Sequence, residues 1–100
     1  METKITIDER IATVVLKGRM DSSAADDVKD ELEDIISGDF DKIILDCAGL
    51  EYIASSGLRL FFVLAKNNKP KGTSVIIRSP NDFLMSVFDA TGFTAMFDFE

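Results

Sequence analysis

The chain has 100 residues, 18 acidic side chains against 11 basic ones for a net charge of -7, no histidine and one cysteine, Cys47. Without an imidazole neither a Ser/His/Asp nor a Cys/His nucleophile and base pair can be built, and one cysteine leaves neither a Cys/His zinc cluster nor an internal disulfide, so no metal or other cofactor is expected. The acidic balance, with a pI near 4.5, argues against a nucleic-acid partner; a start of METKITIDER and the lack of an apolar run of ~18 residues predict one soluble, cytoplasmic domain over residues 1–100 with no membrane partner.

Residues 3–7 alternate, with Thr3, Ile5 and Ile7 against Lys4 and Thr6, and a polar turn at Asp8-Glu9-Arg10 leads into Ile11-Ala12-Thr13-Val14-Val15-Leu16. These read as two strands of a hairpin, interrupted at Gly18. Asp21-Ser22-Ser23 then supplies capping oxygens to a helix whose Val28, Leu32, Ile35 and Ile36 share one face and which stops at Gly38. Lys42 to Cys47 is short and apolar within, so it reads as a strand buried on both faces. A loop from Ala48 to Ala54 precedes a second helix, opened by Ser55-Ser56-Gly57, dense in apolar residues from Leu58 to Ala65 and ended among Lys66, Asn67, Asn68, Lys69 and Pro70. Thr73 to Ile77 gives another strand. Ser79-Pro80-Asn81-Asp82 caps a third helix with Phe83, Val87 and Phe88 inward, ending near Gly92, and Ala95 to Phe99 forms an edge strand. The order β-β-α-β-α-β-α-β predicts an α/β domain with a mixed, mostly parallel sheet of four or five strands.

In such sheets exposed chemistry gathers at the carboxyl ends of strands. Asp46 closes the apolar strand, and Ser55 stands where the next helix begins. A serine there either caps the helix, worth about 1 kcal/mol, or receives a phosphate, which the unpaired amides and the helix dipole favour. The second helix is apolar nearly all round, so part of it is expected to form an exposed patch beside Ser55. Charges are also unmixed: Asp21 to Asp41 holds nine acids and one base, Lys29, whereas Tyr52 to Asn81 holds five bases and no acid. This division suits the orienting of a charged partner.

The run Ile43-Ile44-Leu45-Asp46-Cys47-Ala48-Gly49-Leu50-Glu51-Tyr52-Ile53-Ala54-Ser55-Ser56-Gly57-Leu58 resembles the signature of the STAS domain family, specifically its anti-sigma factor antagonists. Leu16 to Asp21 resembles that family's Gly-x-x-Asp turn, and Ser79 to Phe93 its third helix and exit, so the resemblance covers almost the whole chain. It implies a partner-switching regulator of transcription, itself no enzyme. Unphosphorylated, such a domain binds an anti-sigma factor that is also a serine kinase and frees the sigma factor; the kinase switches it off by phosphorylation and a metal-dependent serine phosphatase reverses this. Carried over, Ser55 is the phosphoacceptor, and Asp21, Ser22, Ala54, Ser56, Gly57, Leu58 and Phe61 belong to the partner-binding surface. The family's Asp before the serine is Ala54 here.

That departure supports a second reading, a non-phosphorylatable scaffold or assembly subunit. A third, an enzyme handling nucleotides with Mg²⁺ on Asp21 and Asp46, lacks any Gly-rich phosphate loop. Asp46 is expected instead to satisfy loop amides, Cys47 to be a small core residue, and Phe93, Phe97 and Phe99 to fill the core or its edge.

Overall fold

The computed structural model describes residues 1–100. Strand β1 (Glu2–Asp8) pairs antiparallel with β2 (Ile11–Met20), as the hairpin pattern predicts, and Glu9 takes a left-handed φ of 54° to make the turn. Helices α1 (Ser22–Glu31) and α2 (Glu33–Ser37) lead to β3 (Lys42–Ile53), then α3 (Ser55–Asn68), β4 (Ser74–Arg78), α4 (Asp82–Ala90) and β5 (Asp98–Phe99). The strands lie in sheet order β1-β2-β3-β4-β5, with every pair after the first parallel.

That sequential order fixes where the helices go. Each parallel crossover is right-handed and each steps the same way along the sheet, so all the helices fall on one face. Alternate strand residues meet them there: Ala12, Val14 and Leu16 of β2, Ile43, Leu45 and Cys47 of β3, and Val75 and Ile77 of β4 form one cluster with Val28, Leu32, Ile35, Leu60, Phe61, Leu64, Leu84 and Phe88. Phe93 and Phe97 join it, and Phe99 packs against it half-buried. No helix is long and apolar enough to cross a membrane.

Several elements differ from the sequence reading. The strand from Lys42 is buried on both faces, as its apolar run predicts, but only one face meets the helices: Ile44 and Ile76, 8% and 7% exposed, lie outside the helical cluster. They stand side by side in register with Thr13 and Asp98 on the opposite face. Gly18 does not end β2; with φ at 103° it lets the strand bend through two register shifts and pair as far as Met20. The expected loop from Ala48 to Ala54 is therefore mostly strand, with Gly49 beside Lys17 and Ile53 beside Met20.

The first helix breaks into α1 and α2 at Leu32, which stays buried with Val28 and Ile35 while Ile36 is half-buried. In α4 the inward residues are Leu84 and Phe88; Phe83 is 51% exposed and Val87 half-buried. Asn81 caps it by accepting the Leu84 amide at 2.8 Å. The expected strand from Ala95 shrinks to Asp98–Phe99, after a 3-10 turn at Phe93–Ala95.

Candidate functional site

Two helix starts meet at the far ends of β2 and β3. The Ala54 amide donates to the Met20 carbonyl at 2.8 Å, so the chain leaving β2 into α1 and the chain leaving β3 into α3 do so side by side. Asp21 is the N-cap of α1; its carboxylate accepts the Ala24 amide at 2.8 Å. Ala54 holds the same position on α3 with no side chain to do this, and its carbonyl accepts only the helical Leu58 amide at 3.0 Å. The amides of Ser55, Ser56 and Gly57 have no protein acceptor.

Ser55 is the first residue of α3 and exposed, whereas the Ser56 hydroxyl is buried without a partner. Gly57 lets the first turn of α3 press onto the strand ends. A Cβ there would stand 2.7 Å from Ile53 Cγ1 and 2.8 Å from Met20 Sδ, closer than carbon packing allows. The structure thus brings Asp21, Ser22, Ala54, Ser55, Ser56 and Gly57 to one end of the sheet.

The apolar patch is narrower than expected because α3 is the middle helix of its layer. It contacts α1 and α2, and its Phe61 stacks on Phe88 of α4 with ring centroids 6.1 Å apart. Phe61 has no exposed surface, so it cannot touch a partner; that expectation is corrected in favour of its neighbour Phe62, which is 41% exposed. Leu58 is half-buried and Arg59 exposed. Helical spacing of three and four residues aligns Ser55, Leu58, Arg59, Phe62 and Lys66 on the outer face of α3. Phe62 and Arg59, at i+7 and i+4 from Ser55, supply the apolar and the basic part of that face.

Between α1 and α3 runs a cleft of about 160 Å³ lined by Ala25, Asp26 and Lys29 on one wall and Ser56, Arg59, Leu60 and Val63 on the other. No ion pair crosses it; the ion pairs join Arg10 to Asp39 and Asp41, and Arg78 to Glu100. Hydrogen bonding and charge from Asp41, with help from Asp39, hold the Arg10 guanidinium above its ordinary pKa.

Asp46 is not part of this site. It pairs in register with Val15 and Arg78, and β3 runs seven residues further before α3 begins, which is about 20 Å of strand. Its carboxylate accepts the Ala48 amide at 3.1 Å, the amide-satisfying role expected of it. The Mg²⁺ pairing of Asp21 with Asp46 has no geometric basis, and nowhere do three acidic or Cys side chains converge on a metal-sized point. Cys47 is buried, which pushes its thiol up to about 12, with the charge of Asp46 adding to the shift.

A mixed sheet covered by helices on one face, with an exposed hydroxyl at an uncapped helix start, defines a small α/β domain. Residues 2–100 match the STAS domain family, and the chain belongs to it. It is 26% identical over 96 residues to BtrV of Bordetella bronchiseptica, named as a candidate anti-sigma factor antagonist, covering 94% of this chain and 83% of that protein. Its fold is similar to that of the anti-sigma factor antagonist SpoIIAA in its unphosphorylated form, with a TM-score of 0.85 at 19% identity over 99% of this chain and 88% of the other. The phosphorylated form of SpoIIAA, a Bacillus cell fate determinant, gives a TM-score of 0.79 at 18% identity over 99% and 91%.

Proposed function

We propose that the protein is an anti-sigma factor antagonist of the cytoplasm, a binding switch controlled by phosphorylation of Ser55. Unmodified, it docks an anti-sigma factor that is also a serine kinase through the start of α1 and the outer face of α3, and so frees a sigma factor. One observation carries the reading: an exposed serine opens α3 with free amides around it and a half-apolar stripe, Leu58 and Phe62, directly behind it. A phosphate there adds about -1.5 to -2 charge. Docking of the apolar stripe would then desolvate that charge, which opposes binding. SpoIIAA, whose fold this is, has been solved with and without phosphate. The buried Ser56 hydroxyl makes Ser55 the better substrate. A metal-dependent serine phosphatase would reset the switch.

Incubation with a kinase-type anti-sigma factor and ATP, followed by peptide mass mapping, tests this. Phosphate on Ser55 is expected; none, or phosphate placed elsewhere, overturns it. A second reading, a scaffold that is not phosphorylated, is favoured by Ala54, which leaves the serine without a neighbouring carboxylate. It expects Ser55→Asp to bind the partner as tightly as the parent does.

A further inference from the structure

We infer that Arg59 is the residue that holds the phosphate once Ser55 carries it, a positioning residue that makes the modified state a local ion pair within α3. This rests on Ser55 being the modified side chain. Residues four apart on a helix lie one turn apart and only about 40° around its axis. Side chains also lean toward the N-terminus of their helix, so Arg59 leans back over the turn that starts with Ser55.

Arg59 is free to do this. It is exposed and takes part in no hydrogen bond or ion pair, in contrast to Arg10 and Arg78, which are both engaged with carboxylates. Across the cleft α1 offers Asp26, which would compete for the guanidinium, and Lys29, which would not. Neither is ion-paired with it. Asp21, at the neighbouring helix start, already accepts the Ala24 amide. A phosphate on Ser55 brings a larger charge than Asp26 and oxygens that match the planar fork of arginine. The unpartnered amides of Ser55, Ser56 and Gly57 offer donors from the opposite side. The same capture draws Arg59 away from the outer stripe that the unmodified domain presents.

The test uses the full chain with phosphoserine inserted at position 55 during translation, so it needs no kinase. The phosphorus resonance is followed through the second ionisation of the phosphate, ordinarily near pH 6. With Arg59 present the midpoint is expected to fall by about half a unit or more, as for a phosphate held by a cation. Arg59→Gln should return it upward, and Arg59→Lys should keep part of the shift. Since Arg59 is exposed, melting of the unphosphorylated Arg59→Gln chain checks that the fold is intact. Equal midpoints in the parent and Arg59→Gln overturn the inference, as does a midpoint that moves only in Lys29→Gln. Failure of a kinase to modify Ser55 would instead sink the proposed function and leave this measurement standing.

Discussion

Helices α1 and α3 leave neighbouring strands at the same end of the sheet, yet they begin differently. The first is closed by the carboxylate of Asp21 on the Ala24 amide; the second starts at Ala54 with no side-chain cap. Their interiors are opposite too. Of the ten residues of α1 only Ala25 and Val28 are buried, whereas α3 buries Gly57, Leu60, Phe61, Leu64, Ala65 and Asn68. A helix held mainly by its own packing does not need a cap, because burial of one large apolar side chain contributes about 2 kcal/mol against about 1 kcal/mol for a cap. The start of α3 can therefore stay open for chemistry, while α1 needs its cap to remain a helix.

The largest effect that would break this contrast is in the α3 interior. Phe61→Ala removes a ring with no exposure and should cost about 4 kcal/mol in denaturant unfolding. The adjacent Phe62→Ala should stay within about 0.5 kcal/mol of the parent while weakening partner binding about tenfold. Equal stability losses at the two positions would mean that the buried and outer faces of α3 are wrongly assigned.

Gly57→Ala comes next. The added methyl meets Ile53 and Met20, an overpacking cost of about 2 kcal/mol, offset by about 1 kcal/mol of gained helix propensity. A net loss near 1 kcal/mol is expected in thermal or chemical melts, and a gain would show that the first turn of α3 is loose. Opposite signs are expected at the two helix starts themselves. Asp21→Ala should destabilise by about 1 kcal/mol, and Ala54→Asp should stabilise by a similar amount, both read from denaturation midpoints.

The effect that is smallest at neutral pH appears only in alkali. Burial lifts the Cys47 thiol from 9.0 to about 12, so between those values the native chain keeps a proton that the unfolded chain releases. The native state then binds more protons, and stability must fall as pH rises through that window. At neutral pH both states are protonated and the group contributes nothing. Cys47→Ala should flatten the decline measured by urea unfolding on either side of pH 9, and the native thiol should resist labelling reagents.

Much of the fold was legible because the core obeys local periods. Ala12, Val14 and Leu16 alternate, Val28, Leu32 and Ile35 recur at helical spacing, and all are buried. The length of β3 was not legible. Ala48 to Ile53 contains a glycine and exposed residues and becomes strand only because β2 continues beside it through the bend at Gly18. Burial of Lys42 to Cys47 on both faces was legible, but which face the helices cover was hidden, since a continuous apolar run carries no alternation. Within the candidate site, Asp21, Ala54 and Ser55 fell together as the strand-end rule requires, but Asp46 lay some distance down the strand. The choice of Phe62 over Phe61 as the exposed ring was legible from Arg59 and Lys66, three residues before and four after Phe62 on one helical face; stacking of Phe61 on Phe88 from a distant helix agrees with it.

The open start of α3 is the centre of this account, and partner affinity measures it directly. A kinase-type anti-sigma factor titrated against the unmodified chain and against the chain carrying phosphoserine at position 55 should bind the first at least about tenfold more tightly. Equal affinity for the two forms would contradict a switch at Ser55 and leave the protein a scaffold.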